Sequence, residues 1–79
     1  MENKIIYKID CGHDASIFFR VRSYKERKYI DLRLFFQPKD SADMFPTRKG
    51  ITIHSELFAE LEKGIEACGK ELAAHPAEA

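Results

Sequence analysis

The sequence predicts an α+β fold of order ββββα, in which a four-stranded antiparallel sheet is followed by one long C-terminal helix and two copies form a two-fold homodimer. Three observations carry this reading. Before residue 54, apolar and polar residues alternate with the period of a strand, in segments broken by turn residues. From Leu57 to Leu72, apolar residues recur at spacings of four and three, the period of a helix. A chain of 79 residues makes one domain, 1–79, with a small core. Such a core seldom stabilises itself without a partner, and two-fold dimers are the commonest partnership.

The first strand is Lys4–Ile9, rich in Ile and Tyr, which suit a pleated surface. Residues 10–14 (Asp-Cys-Gly-His-Asp) read as a turn. The second strand is Ser16–Tyr24. Alternation puts Ile17, Phe19 and Val21 on one side and Phe18, Arg20, Arg22 and Tyr24 on the other. Lys25, Glu26 and Arg27 reverse the chain. The third strand, Lys28–Phe36, returns antiparallel with Ile30, Leu32 and Leu34 on its apolar face. Tyr29, Asp31, Arg33 and Phe35 then share a surface with Arg22 and Tyr24, and Asp31 is expected to neutralise a neighbouring arginine. Gln37–Phe45 is a polar loop, and Pro46 leads into a last strand, Arg48–Ile53, which puts Ile51 and Ile53 with the core. Gly50 within that strand marks a bulge or the close approach of another backbone.

Ser55 is expected to cap the closing helix, with Glu56 near the positive end of the helix dipole. The helix runs to about Leu72, roughly 27 Å, long enough to cover one face of the sheet. Leu57, Leu61, Ile65, Cys68 and Leu72 form its stripe, widened by Phe58, and Glu60–Lys63 and Glu66–Lys70 pair on its outer side. Gly64 and Gly69 are unusual in a helix interior, and imply a kink or a second helix in close contact. The tail 73–79, with Pro76, is expected to fray.

The formal net charge is zero, but it is unevenly distributed. From Arg20 to Lys49 there are nine basic and four acidic residues; from Gly50 onward there are two lysines and six glutamates. The chain is therefore divided into a basic part and an acidic part. In the stretch Tyr24–Gly50, bases and flat rings are interleaved at strand spacing. This is the composition of a surface that holds a flexible polyanion and stacks something planar, and equally that of an ordinary solvated sheet face.

Other chemistries find little support. No apolar run reaches the roughly 20 residues of a membrane span. The N-terminus lacks the apolar region of a signal peptide, so the expected location is the cytoplasm. Cys11 and Cys68 form no CxxC pair, and a disulfide is not expected there. Cys11, His13 and Asp14 are metal-ligand types, but zinc wants four ligands and no second cluster offers them. Ser55 reads as a cap rather than a nucleophile, and neither a phosphate loop nor paired carboxylates occur. No enzyme activity, cofactor or metal is expected.

The segment VRSYKERKYIDLRLFF, followed by PTRKGITI, resembles the single-stranded-DNA-binding domain of the transcriptional coactivator positive cofactor 4 family. The most specific pieces are Ile30-Asp31-Leu32-Arg33 and Pro46-Thr47-Arg48-Lys49-Gly50-Ile51 at their separation. The likeness runs from Val21 to the end of the helix. It implies a dimer of ββββα subunits with helices at the interface, through Leu57, Leu61, Gly64, Ile65 and Cys68. It also implies curved sheets whose grooves take single-stranded or melted DNA with little sequence preference. Carried over by position, Arg22, Lys25 and Arg27 meet phosphates, Tyr24 stacks on a base, and Arg33 lies in the groove. Phe36 is the second stacking ring, where Trp is common, and Arg48 and Lys49 are the basic pair of the last strand. Phe45 stands where the family has lysine. Alternation sets Phe36 opposite Arg33, so either a bulge re-aims it or Phe35 does the stacking. The eukaryotic Ser-rich arm has no counterpart, which suggests a stand-alone bacterial-type member, associated with the nucleoid.

Stacking one base on a ring is worth about 1–3 kcal/mol and tolerates any base. Contacts to about four phosphates give a salt slope near −3. Duplex should bind less well, because pairing hides the base faces. The implied partners are single-stranded DNA, with single-stranded RNA as an alternative ligand, a second copy, and RNA polymerase or other transcription proteins. A different reading is a dimeric scaffold whose basic sheet docks an acidic protein.

Overall fold

The computed structural model describes residues 2–75. The strands are β1 (Glu2–Gly12), β2 (Ala15–Tyr24), β3 (Arg27–Phe36) and β4 (Phe45–His54), and they form one open antiparallel sheet in the order β1-β2-β3-β4. A 3₁₀ turn, Ser55–Leu57, leads into α1 (Phe58–Ala74). The element order is the one expected from the sequence, although β1 and β4 are longer. Of the tail, Ala73 and Ala74 belong to the helix, and 76–79 lie outside the described residues.

Two tight hairpins set the register. His13 and Asp14 join β1 to β2, and Lys25 and Glu26 join β2 to β3; all four have positive φ, between 49° and 66°. Both central residues in the left-handed region is the signature of a type I′ turn, whose twist matches that of the flanking strands. Arg27, expected in the reversal, instead pairs with Tyr24. Between Asp10 and Gly12 the register shifts past Cys11, so the expected five-residue turn shrinks to two residues.

The pairing sorts side chains cleanly. Phe18 faces Arg33, Arg20 faces Asp31 and Arg22 faces Tyr29, while β4 adds Gly50, Thr52 and His54. This is the arginine face. The opposite face carries Ile17, Phe19, Val21, Ile30, Leu32, Leu34, Ile51 and Ile53. Burial departs from expectation. Among the described residues, those buried are Ser16, Phe18, Asp31 and Phe35, all on the arginine face, whereas the apolar face is only half-buried or exposed. Phe18 and Phe35 stack at 4.2 Å and 8°, and the Arg20 guanidinium lies 5.1 Å from the Phe35 ring centroid.

The reason lies in the helix, which does not cover the sheet as expected. Its connection to the strands runs chiefly through the 3₁₀ turn to β3. Phe58 lines a hollow of about 180 Å³ on the apolar face with Ile6, Phe19, Val21 and Ile30. No residue of α1 is buried; Phe58 is itself 44% exposed, and Leu61 alone is half-buried. The radius of gyration is 14.9 Å, against about 12 Å for a compact chain of this length. The Ser55 cap is also corrected. Residues 55–57 form a 3₁₀ turn, α1 begins after Leu57, and neither start has a side-chain cap bond. α1 is assigned without a break through Gly64 and Gly69, and a Cβ at either would meet nothing within 4 Å. Glu66 and Lys70 pair at 3.6 Å.

Candidate nucleic-acid interface

The centre of the arginine face is a buried ion cluster. Asp31 has 0% exposure. Arg20 Nε donates to its Oδ2 at 3.0 Å, Arg33 Nη2 donates to Oδ1 at 3.1 Å, and the Thr52 hydroxyl donates to Oδ1 at 2.7 Å. Burial alone pushes this carboxyl up. Hydrogen bonds from Arg33, Thr52 and Arg20, together with the Arg20 charge, outweigh it and hold the pKa at about 2, against an ordinary 3.8. Asp31 thus neutralises two arginines rather than one. Arg33 also donates from Nη1 to the Thr47 carbonyl at 3.0 Å. Its guanidinium is built into the face.

Gly50 makes that position possible. A Cβ there would stand 2.6 Å from the Leu32 carbonyl oxygen and 2.8 Å from Arg33 Cα, so β4 can approach β3 only with glycine at this point. Upstream, Arg33 pairs with Gly50 but Phe35 pairs with Pro46, leaving Thr47, Arg48 and Lys49 opposite Leu34. The Thr47 hydroxyl donates to the Leu34 carbonyl at 2.8 Å and accepts from Lys49 N–H at 3.1 Å. The side chain thereby replaces a ladder partner across the bulge. Arg48 and Lys49 leave this irregular segment exposed to solvent.

At the other end of β2 and β3, Lys25 and Arg27 are exposed beside Tyr24, and Lys25 Nζ lies 5.3 Å from the Tyr24 ring centroid. Arg22 is half-buried, its Nε donating to Asn3 Oδ1 at 2.8 Å. Arg22, Tyr24, Tyr29 and Thr52 enclose a depression of about 280 Å³. The site residues anticipated from sequence therefore fall into two exposed basic ends joined by the arginine face. At roughly 3.3 Å per residue, six to eight residues of β3 hold these ends roughly 20–26 Å apart.

The three phenylalanines are distinguished by exposure. Phe35 lies on the arginine face but is 7% exposed and stacked on Phe18, so it offers no surface to a ligand. Phe36 follows the alternation to the opposite side, where it pairs with Phe45; the two are 47% and 50% exposed. The bulge lies on β4 and does not re-aim Phe36. Sequence reasoning placed Tyr29 on this face without assigning it a role, and missed Asn3 and Thr52. Their partners are set by cross-strand register, which no local pattern displays. Of the residues expected at a dimer interface, Leu57, Gly64, Ile65 and Cys68 are exposed and Leu61 is half-buried, so among the described residues the stripe is largely uncovered.

No helix of the described residues is long and apolar enough to cross a membrane. A comparison with curated proteins found no relative. Among solved structures, the chain is similar to a PC4 homologue from Burkholderia pseudomallei in two crystal forms. The orthorhombic form is 33% identical, with 89% of this chain and 93% of that chain covered and a TM-score of 0.79. The tetragonal form is 32% identical, with 86% and 98% covered and a TM-score of 0.78. A bacteriophage T5 homologue of the eukaryotic coactivator PC4, implicated in recombination-dependent DNA replication, shares the fold at 15% identity. It covers 92% of this chain and 77% of that one, with a TM-score of 0.58. The family model described as Transcriptional Coactivator p15 (PC4) matches residues 11–64. With more than half its length matched by that model and a crystallised homologue a third identical over most of both chains, the chain belongs to the PC4 transcriptional coactivator family.

Proposed function

We propose that this protein binds single-stranded DNA with little sequence preference, as a homodimer acting in transcription or in the protection of melted DNA. The observation that carries the reading is the division of labour among its cations. Asp31 engages Arg20 and Arg33 in the floor, while Lys25, Arg27, Arg48 and Lys49 stay exposed at the two ends. Exposed cations track a phosphate backbone, and exposed rings take bases. Tyr24 is the exposed ring of this face and Arg22 lines the wall beside it, whereas Phe36, on the opposite face, does not share the surface with them. Arg33 acts as a positioning residue for this surface. The role is one of binding, with no chemical step.

The dimer follows from the exposed apolar surface. Ile65 and Leu72 are 57% and 70% exposed on a helix that no strand covers. Pairing two such stripes buries them, and Gly64 allows close approach of the two backbones.

Fluorescence polarisation with labelled oligo(dT) and with a duplex of equal length, across a salt series, tests the proposal. The expected result is tighter binding to the single strand, with a slope of log K against log salt near −3 for about four phosphate contacts. Removing one of Lys25, Arg27, Arg48 or Lys49 should reduce the slope by about 0.7. Equal affinity for duplex, or no binding at low salt, overturns the proposal. Binding of oligo(U) in preference to oligo(dT) reassigns the ligand to RNA.

A further inference from the structure

We infer that Tyr29 and Tyr24 form a two-sided pocket that takes one unstacked nucleobase of the bound strand, an inference that rests on the single-strand reading above. The two tyrosines belong to adjacent strands. Arg22 pairs with Tyr29 and Tyr24 with Arg27, so Tyr24 and Tyr29 are diagonal neighbours on one face. Diagonal neighbours on one face lie within reach of each other's aromatic side chains. Both rings line the same depression, so a flat guest there meets a ring from each strand. The depression of about 280 Å³ lies where such a guest would sit.

The surroundings suit this guest. Tyr29 is half-buried and braced by His54, with ring centroids 4.8 Å apart at 47°. Tyr24 is half-exposed and forms the outer wall. The floor is Thr52, whose hydroxyl is already donated to Asp31. A floor so engaged reads little of a base edge, which agrees with sequence tolerance, since every base has a π-face. Arg22 closes the remaining side, and Lys25 and Arg27 are exposed beside Tyr24. An aromatic side chain of a protein would fill the same volume but carries no anion of its own for the surrounding cations. A nucleotide supplies both the ring and the phosphate.

The test compares wild type, Tyr29→Phe and Tyr29→Ala on two probes: oligo(dT), and a strand of equal length made wholly of abasic tetrahydrofuran nucleotides. On oligo(dT), Tyr29→Ala should weaken binding by roughly 5- to 150-fold, the span of one base–aromatic stack, while Tyr29→Phe stays near wild type. On the abasic strand the three proteins should bind alike. Tyrosine fluorescence gives a second readout. The chain has three tyrosines and no tryptophan, and Tyr7 lies on the other face against Phe19. Oligo(dT) should therefore quench most of the emission and the abasic strand little. A wild-type protein that binds oligo(dT) while Tyr29→Ala binds equally well overturns the pocket and leaves the proposed function standing. Equal losses on both probes also overturn the pocket, because a folding defect does not depend on bases. Failure of wild type to bind oligo(dT) removes both.

Discussion

Removing the Asp31 carboxylate should unsettle the arginine face more than any other single change. The group has no exposure and accepts from Arg20, Arg33 and Thr52. In Asp31→Ala, two guanidinium groups face one another across β2 and β3 with nothing between them. Breaking a buried ion pair by removing one partner typically costs about 3–5 kcal/mol. The pKa gives an independent scale: displacement from 3.8 to about 2 corresponds to about 2 kcal/mol of preference for the charged form. Asp31→Asn, which keeps the shape but turns an amide N–H₂ toward an arginine, should therefore fall between wild type and Asp31→Ala. Urea unfolding at fixed protein concentration measures both. With slopes of about 1–3 kcal/mol per molar, the Asp31→Ala midpoint should drop by about 2 M. Because the folded pKa is depressed, this stability is fully present above about pH 4 and disappears as pH falls through about 2. A midpoint for Asp31→Ala within about 0.3 M of wild type would refute the cluster's role.

Three further outcomes are expected. Gly50→Ala forces a Cβ against the Leu32 carbonyl and should destabilise by about 1–3 kcal/mol, read as a fall in thermal midpoint. Replacing Lys25-Glu26 by Asn-Gly relieves two positive-φ positions and should stabilise by about 1 kcal/mol; the loss of Lys25 should at the same time lower the salt slope. Ile65→Asp places a charge on the unpartnered stripe and should halve the mass seen by light scattering at micromolar concentration. An unchanged mass would show that this stripe is not the dimer contact.

The strands and their facing were legible because alternation is a local signal. Phe18, Arg20, Arg22, Tyr29, Asp31 and Arg33 share a face because side chains in a strand must alternate. The hairpin at Lys25-Glu26 was less legible, since neither residue favours positive φ. There the register of β2 and β3 dictates the turn rather than the reverse. Ser55 has the composition of a cap, but the chain leaves β4 through a 3₁₀ turn before the helix begins, and composition does not record that detour. The burial of the arginine face was hidden for another reason. A charged residue at strand spacing reads as solvated, and only the meeting of Arg20 and Arg33 at one carboxylate, with Phe18 against Phe35, buries the centre of that face. The basic ends were the easiest part of the site to anticipate, because Lys25, Arg27, Arg48 and Lys49 are exposed and composition alone displays them.

The close contact at Gly50 has a consequence for how such a protein can vary. Below it, β4 is locked to β3 from Arg33 to Tyr29, so Ile51 and Ile53 cannot slip. Above it, the bulge already holds more residues on β4 than its partner needs. Residues can be gained or lost in the loop 37–44 without disturbing the register that follows Gly50. The glycine thus insulates the half of the hairpin that brings Thr52 to Asp31 from the half that carries Arg48 and Lys49, and the loop before the basic arm can be lengthened or shortened independently of the fold.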